Sequence, residues 1–163
     1  MALFKKPWNL VWLRHNEKPL KQSCLHLKTD LNAVTQVLEW FEEFTSPLVP
    51  QPLQSQCQLA FVEGFTNAVR HAHEHLPEAT PIDLELNMFA DCLEMRIIDR
   101  GKPFDLRSKL QEALDHQNKC DPLDKEGGRG LIFMHQLTDE LAYLRLDDER
   151  NCLLMRKRCE RKS

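Results

Sequence analysis

The period of apolar and polar positions changes several times along the chain, and each change marks a new element. Trp8-Asn9-Leu10-Val11-Trp12-Leu13 and Ser23-Cys24-Leu25-His26-Leu27 are short and rich in strand formers, with Leu25 and Leu27 sharing one face at period two. Helical spacing then takes over. Leu31, Val34, Leu38 and Phe41 form one stripe, Thr29 or Asp30 can cap it, and a helix is predicted over Leu31 to Phe44. Ser46-Pro47-Leu48-Val49-Pro50-Gln51-Pro52 breaks that helix, because each proline fixes φ and lacks a backbone donor. A second helix is expected from Leu53 to about His75, where Pro77 disfavours helical geometry in the residue before it.

Two alternating stretches follow, Ile82 to Leu86 and Leu93 to Ile98, and read as a hairpin turning near Ala90-Asp91. Asp99 to Gly128 is polar and turn-rich, with room for a short helix over Leu106 to Leu114. Leu131 to Leu137 reads as a helix, and Leu141 to Arg145 with Cys152 to Arg156 as a closing antiparallel pair. The predicted order is β-β-α-α-β-β-loop-α-β-β. Strands and helices come in pairs rather than in strict alternation, which predicts an α+β fold. One mixed or mostly antiparallel sheet would carry the helices on one face.

A length of 163 residues suits one domain. The net charge of −3 argues against a nucleic-acid partner, because general binding to phosphates needs a basic surface. No apolar run approaches the roughly 20 residues that span a bilayer, so no membrane association is expected. Met1 to Trp8 has two lysines but no apolar segment of the secretory kind after them. The cysteines at 24, 57, 92, 120, 152 and 159 are scattered and form no C-x-x-C, which reads as free thiols in a reducing, cytoplasmic compartment.

Three constellations carry chemistry. On the second helix, Glu63, Asn67 and His71 are spaced by four and share a face, with Arg70 beside them. A carboxamide oxygen there can hold Mg²⁺, a hard cation, and a carboxylate one turn away can accept a proton. Directly after a strand comes Asp99-Arg100-Gly101-Lys102-Pro103-Phe104-Asp105. An acid at a strand end can accept from an exocyclic amine, and a glycine two residues on lets a flat base approach the backbone. Third, Gly127-Gly128-Arg129-Gly130 opens a helix and exposes backbone N–H groups to an anion. Taken singly, these motifs have ordinary counterparts in a solvated helix face, an Asp-x-Gly turn and a flexible hinge. His71 and His75 stand one turn apart and could share a metal, but no third ligand or HExxH accompanies them. Trp8, Trp12 and Trp40 read as core or dimer contacts.

In this order, the three motifs resemble the N, G1 and G2 boxes of the GHKL (Bergerat-fold) ATPases. Leu59 to Ala72, Asp99 to Asp105 and Gly128 to Met134 are most similar to the branch of anti-sigma-factor serine/threonine kinases, as is the tail from Thr138 to Lys157. The resemblance implies a two-layer α/β sandwich with a nucleotide lid over Leu106 to Glu126. It divides the chain into an N-terminal extension (1–20), a histidine-kinase-like ATP-binding domain (21–158) and a basic tail (159–163). Carried over by position, Glu63 would be the general base and Asn67 the Mg²⁺ ligand. Asp99 would bind the adenine amine with room given by Gly101, and Gly127, Gly128 and Gly130 would cradle phosphates. Arg70 and Arg129 would offset phosphate charge, and His71 would complete the nucleotide-contacting set. The implied cofactors are ATP and Mg²⁺. The implied partners are a small anti-anti-sigma (STAS-like) protein, a sigma factor, or both, bound by a homodimer. Two rivals are a non-catalytic module that uses nucleotide to shape an interaction surface, and the ATP-binding half of a histidine kinase. The second lacks room for a phosphorylated dimerising helix ahead of the first box.

Overall fold

The computed structural model describes residues 17–119 and 128–160. The predicted strand Trp8 to Leu13, Cys120 and Gly127 lie outside them. Strand β1 (Lys21–Lys28) leads through a 3₁₀ turn (Leu31–Ala33) into α1 (Val34–Thr45), and α2 (Leu53–Asn67) continues as a π segment (Ala68–Ala72). Strands β2 (Pro81–Met88) and β3 (Cys92–Asp99) form the hairpin, followed by α3 (Leu106–Lys119) and α4 (Arg129–Leu137). Strands β4 (Glu140–Arg145) and β5 (Asn151–Arg158) close the chain.

The five strands form one sheet in the order β1-β2-β3-β5-β4, and each neighbouring pair is antiparallel. The α+β expectation holds. Period two assigns one face of the hairpin to the helices: Leu84 pairs with Ile97, Leu86 with Met95 and Met88 with Leu93. All six are essentially inaccessible and meet Phe41 of α1 and Phe61 and Phe65 of α2 in one core. The rings of Phe41 and Phe61 lie 5.4 Å apart, and each such fully buried side chain contributes roughly 1.5–3 kcal/mol. On the opposite face Glu94 is held by Arg96 and Arg156, each guanidinium Nε 2.7 Å from a different carboxylate oxygen.

The elements depart from the sequence reading in four places. Asp30 is the cap, accepting from the Asn32 N–H, but it caps a 3₁₀ turn. That turn shifts the phase, so the buried stripe of α1 is Val37, Phe41 and Phe44 while Leu31 is 39% exposed. Helix α3 runs five residues past Leu114, because its buried stripe of Leu106, Leu110 and Leu114 ends before the helix does. Asp105 caps it, accepting from the Ser108 amide and hydroxyl. Helix α4 begins at Arg129 rather than Leu131. Finally, the second helix is not α-helical to His75. After Asn67 it widens into π geometry, with the His73 N–H donating to the Ala68 carbonyl five residues back.

Candidate functional site

A cavity of about 370 Å³ opens where the end of α2 and its π segment face the ends of β3 and β5. Gly64, Asn67, Ala68, His71 and Ala72 form one wall. Ile97, Leu153, Leu131 and Met134 give it an apolar lining, on which Asp99 is the one carboxylate among the described residues. The extra residue of the π turn lets both His71 and Ala72 reach this wall.

Asp99 ends β3 and is 4% exposed. Its Oδ1 accepts from the Gly101 N–H at 2.8 Å and from Asn151 Nδ2 at 3.0 Å. Asn151 opens β5 directly across the ladder from Asp99. Its amide also donates to the Gly101 carbonyl at 2.8 Å, and its Oδ1 accepts from Arg145 at 2.8 Å. One carboxylate oxygen is therefore fixed, and Oδ2 has no hydrogen bond among the described residues. A buried carboxylate oriented in this way can receive one exocyclic N–H. The loop after it sits hard against the π segment, since a Cβ on Gly101 would lie 2.3 Å from the Ala72 carbonyl oxygen.

The other end of the site is made by α2 and α4. Gly128 is the residue before α4, with φ of 80° in the left-handed region that glycine tolerates. The first turn bond of α4 runs from the Ile132 N–H to the Gly128 carbonyl at 3.2 Å. The amides of residues 129–131 precede that bond and have no intrahelical acceptor. They lie beside the acid and amide of α2: a Cβ on Gly130 would be 2.8 Å from Glu63 Oε2 and 3.3 Å from Asn67 Nδ2. Gly130, distant in sequence, thus meets the Glu63 and Asn67 pair of α2 at one point.

The cations are arranged differently from the sequence reading. Arg70 and Arg129 are exposed, and neither lines this cavity; Arg129 borders a second one of about 250 Å³ with Phe133 and Gln136. Lys102 and Lys109 line the site itself. Lys109 was not anticipated, although its position one turn into α3 is readable once that helix is placed over the cavity. Phe104 and Tyr143 close the rim with ring centroids 4.4 Å apart, and burial raises the Tyr143 hydroxyl well above its usual range. His71 lies on the wall, whereas His75 is exposed and, among the described residues, pairs with Glu74 at 3.8 Å. Among the described residues no three His, Cys, Asp or Glu side chains are placed to share a metal.

Sequence reasoning also missed Asn151 and His73. Asn151 follows a turn and precedes an apolar strand, so only the β3–β5 register reveals its role. His73 is 2% exposed and holds the Arg100 amide next to Asp99.

Comparison with known proteins adds ancestry to this geometry. A family model described as the histidine kinase-like ATPase domain matches residues 27–157. The chain is 34% identical over 86 residues to a serine-protein kinase RsbW of Bacillus licheniformis, covering 52% of this chain and 53% of that protein. A serine-protein kinase RsbW of Oceanobacillus iheyensis is 35% identical over 86 residues, with coverage of 52% and 53%. The chain thus spans about half the length of the curated relatives it matches. Among solved structures, the RsbU and RsbW domains of a Mycobacterium tuberculosis protein superpose with a TM-score of 0.61 at 15% identity, over 89% of this chain and 34% of that one. That likeness concerns the fold.

Proposed function

The chain belongs to the histidine kinase-like ATPase domain family, and from that premise we propose that it is an ATP-dependent serine/threonine protein kinase of the anti-sigma-factor type. Its targets are a small anti-anti-sigma (STAS-like) protein, which it phosphorylates, and a sigma factor, which it binds. It works in the cytoplasm as a homodimer, and the partner exchange regulates transcription.

The observation that carries this reading is the joining of the three motifs around one cavity. Asp99, on the lining, is fixed by Gly101 and Asn151, and Asn67, also on the lining, stands beside Glu63 and Gly130. The donor set fits a magnesium nucleotide. Asp99 offers an acceptor to a purine amine, the amides of residues 129–131 face an anion, and Gly130 leaves open the space a side chain would take from Glu63 and Asn67. Asn67 would hold Mg²⁺ through its carboxamide oxygen. When bound, Mg-ATP supplies the phosphoryl group and the cation offsets its charge.

The protein's own groups supply the rest. Lys102 and Lys109 place positive charge along the cavity, and His71 lies on its wall. Glu63 takes the proton of the incoming serine hydroxyl as that oxygen becomes nucleophilic. Relatives named as serine-protein kinases support transfer to a hydroxyl.

The test is a pull-down from cell extract with and without Mg-ATP, followed by phosphosite mapping on the captured protein. A serine or threonine phosphorylated by the wild type and untouched by Glu63→Ala, at equal nucleotide affinity, is the expected result. Equal, negligible transfer by both proteins would instead make the chain a nucleotide-dependent binding module.

A further inference from the structure

The loop that carries Asp99 and Gly101 is held on its other side by a histidine buried beneath the π segment. His73 Nε2 lies 2.8 Å from the Arg100 backbone nitrogen, and its Nδ1 lies 2.7 Å from Thr29 Oγ1. The Arg100 amide can only donate, so Nε2 must be the acceptor and the ring proton must sit on Nδ1. Nδ1–H then donates to Thr29, whose own hydroxyl proton goes to the Thr80 carbonyl at 2.7 Å. Every proton in this chain has one place, and it ties the end of β1 and the start of β2 to the residue after Asp99.

We propose that His73, as the neutral Nδ1–H tautomer, is a positioning residue that aims Asp99 at the nucleotide base. It does so by holding the neighbouring Arg100 amide. The inference rests on the purine-binding reading of the cavity and deepens it. A proton added to Nε2 would set two donors against each other at 2.8 Å, so acid must release this side of the loop.

The surroundings favour the neutral form. Burial lowers the His73 pKa first, Asp99 raises it, and the Arg100 guanidinium lowers it further, leaving it below the ordinary 6.5. Thr29 and Thr80, the groups facing it from the strands, carry no charge. Because the folded pKa is depressed, the contribution is complete above pH 6.5 and is lost as pH falls from there towards the folded value. His71 also lies on the cavity wall and needs a control.

The experiment measures ADP affinity by calorimetry between pH 7.5 and 5.0 for wild type, His73→Gln and His73→Phe, with ¹⁵N shifts of the His73 ring recorded without nucleotide. Glutamine can accept from Arg100 and donate to Thr29 without titrating. It is expected to bind ADP within about threefold of wild type at pH 7.5 and to lose less affinity in acid, while retaining whatever His71 and the ADP phosphate contribute. Phenylalanine removes the acceptor and should weaken ADP about tenfold at pH 7.5, the worth of one buried hydrogen bond. The shifts should report an unprotonated Nε2 at pH 7.5. Wild type and His73→Gln with superimposable pH profiles, or a protonated Nε2 at pH 7.5, would overturn the role of His73 while leaving the base site standing. Absence of ADP binding by wild type at every pH would remove the base site and this inference together. Should His73→Phe not fold, the glutamine profile and the ring shifts decide.

Discussion

At the base end of the cavity Asp99 Oδ1, Asn151 and the Arg100 amide are already held by hydrogen bonds before any ligand arrives. At the phosphate end, Glu63 and Asn67 face Gly130 with no side-chain hydrogen bond among the described residues, and Arg70 and Arg129 are exposed. The difference follows from what each end must recognise. A flat base is read by a few directed hydrogen bonds, which work best when fixed in advance. A triphosphate carries its charge with it and can gather cations and amides around itself. The base end is therefore part of the folded core, and damage there should appear in both binding and stability. Damage at the phosphate end should appear in transfer alone.

The sharpest way to break this contrast is Glu63→Ala. Removing the proton acceptor should lower phosphate transfer to the captured partner about a thousandfold, with ADP affinity within about twofold of wild type. A parallel loss of affinity in calorimetry would merge the two ends. Next in size is Asp99→Asn, which can set an N–H₂ group where the purine amine needs an acceptor. ADP affinity should fall about a hundredfold, while transfer at saturating nucleotide stays near wild type.

Asn151→Ala sharpens the claim that the base end belongs to the core. Asn151 is 0% exposed and its amide serves both Asp99 and the Gly101 carbonyl. Its loss should cost about 1–3 kcal/mol in denaturant unfolding and about tenfold in ADP affinity. Unchanged stability would show that the loop holds its shape without this clamp. The smallest effect is expected for Gly130→Ala. The new methyl meets the mobile end of Glu63 rather than backbone, so unfolding should be little altered. Transfer should nevertheless fall about fivefold as the carboxylate is displaced.

Much of the sheet and of the site could be read from residue patterns, for identifiable reasons. Strands β2 and β3 alternate cleanly because one face packs on helices, so their hairpin and the strand-end position of Asp99 were visible. The spacing of Glu63 and Asn67 is local to α2 and needs no tertiary information. What remained hidden depends on partners distant in sequence. Asn151 acquires its role only from the register that sets it opposite Asp99. His73 was masked by the expectation of a continuous helix to His75, since a π turn has no signature in apolar spacing. The end of α3 was missed for a simpler reason. Asp115 to Asn118 are polar and exposed, and periodicity is silent on a helix segment that buries nothing.

The most direct measurement is a crystal structure grown with Mg²⁺ and a non-hydrolysable ATP analogue. The expected result places the purine amine within hydrogen-bond distance of Asp99 Oδ2, with the terminal phosphates against the amides of residues 129–131 and Asn67 beside the cation. An empty cavity at saturating analogue, or a base bound away from Asp99, would contradict the account.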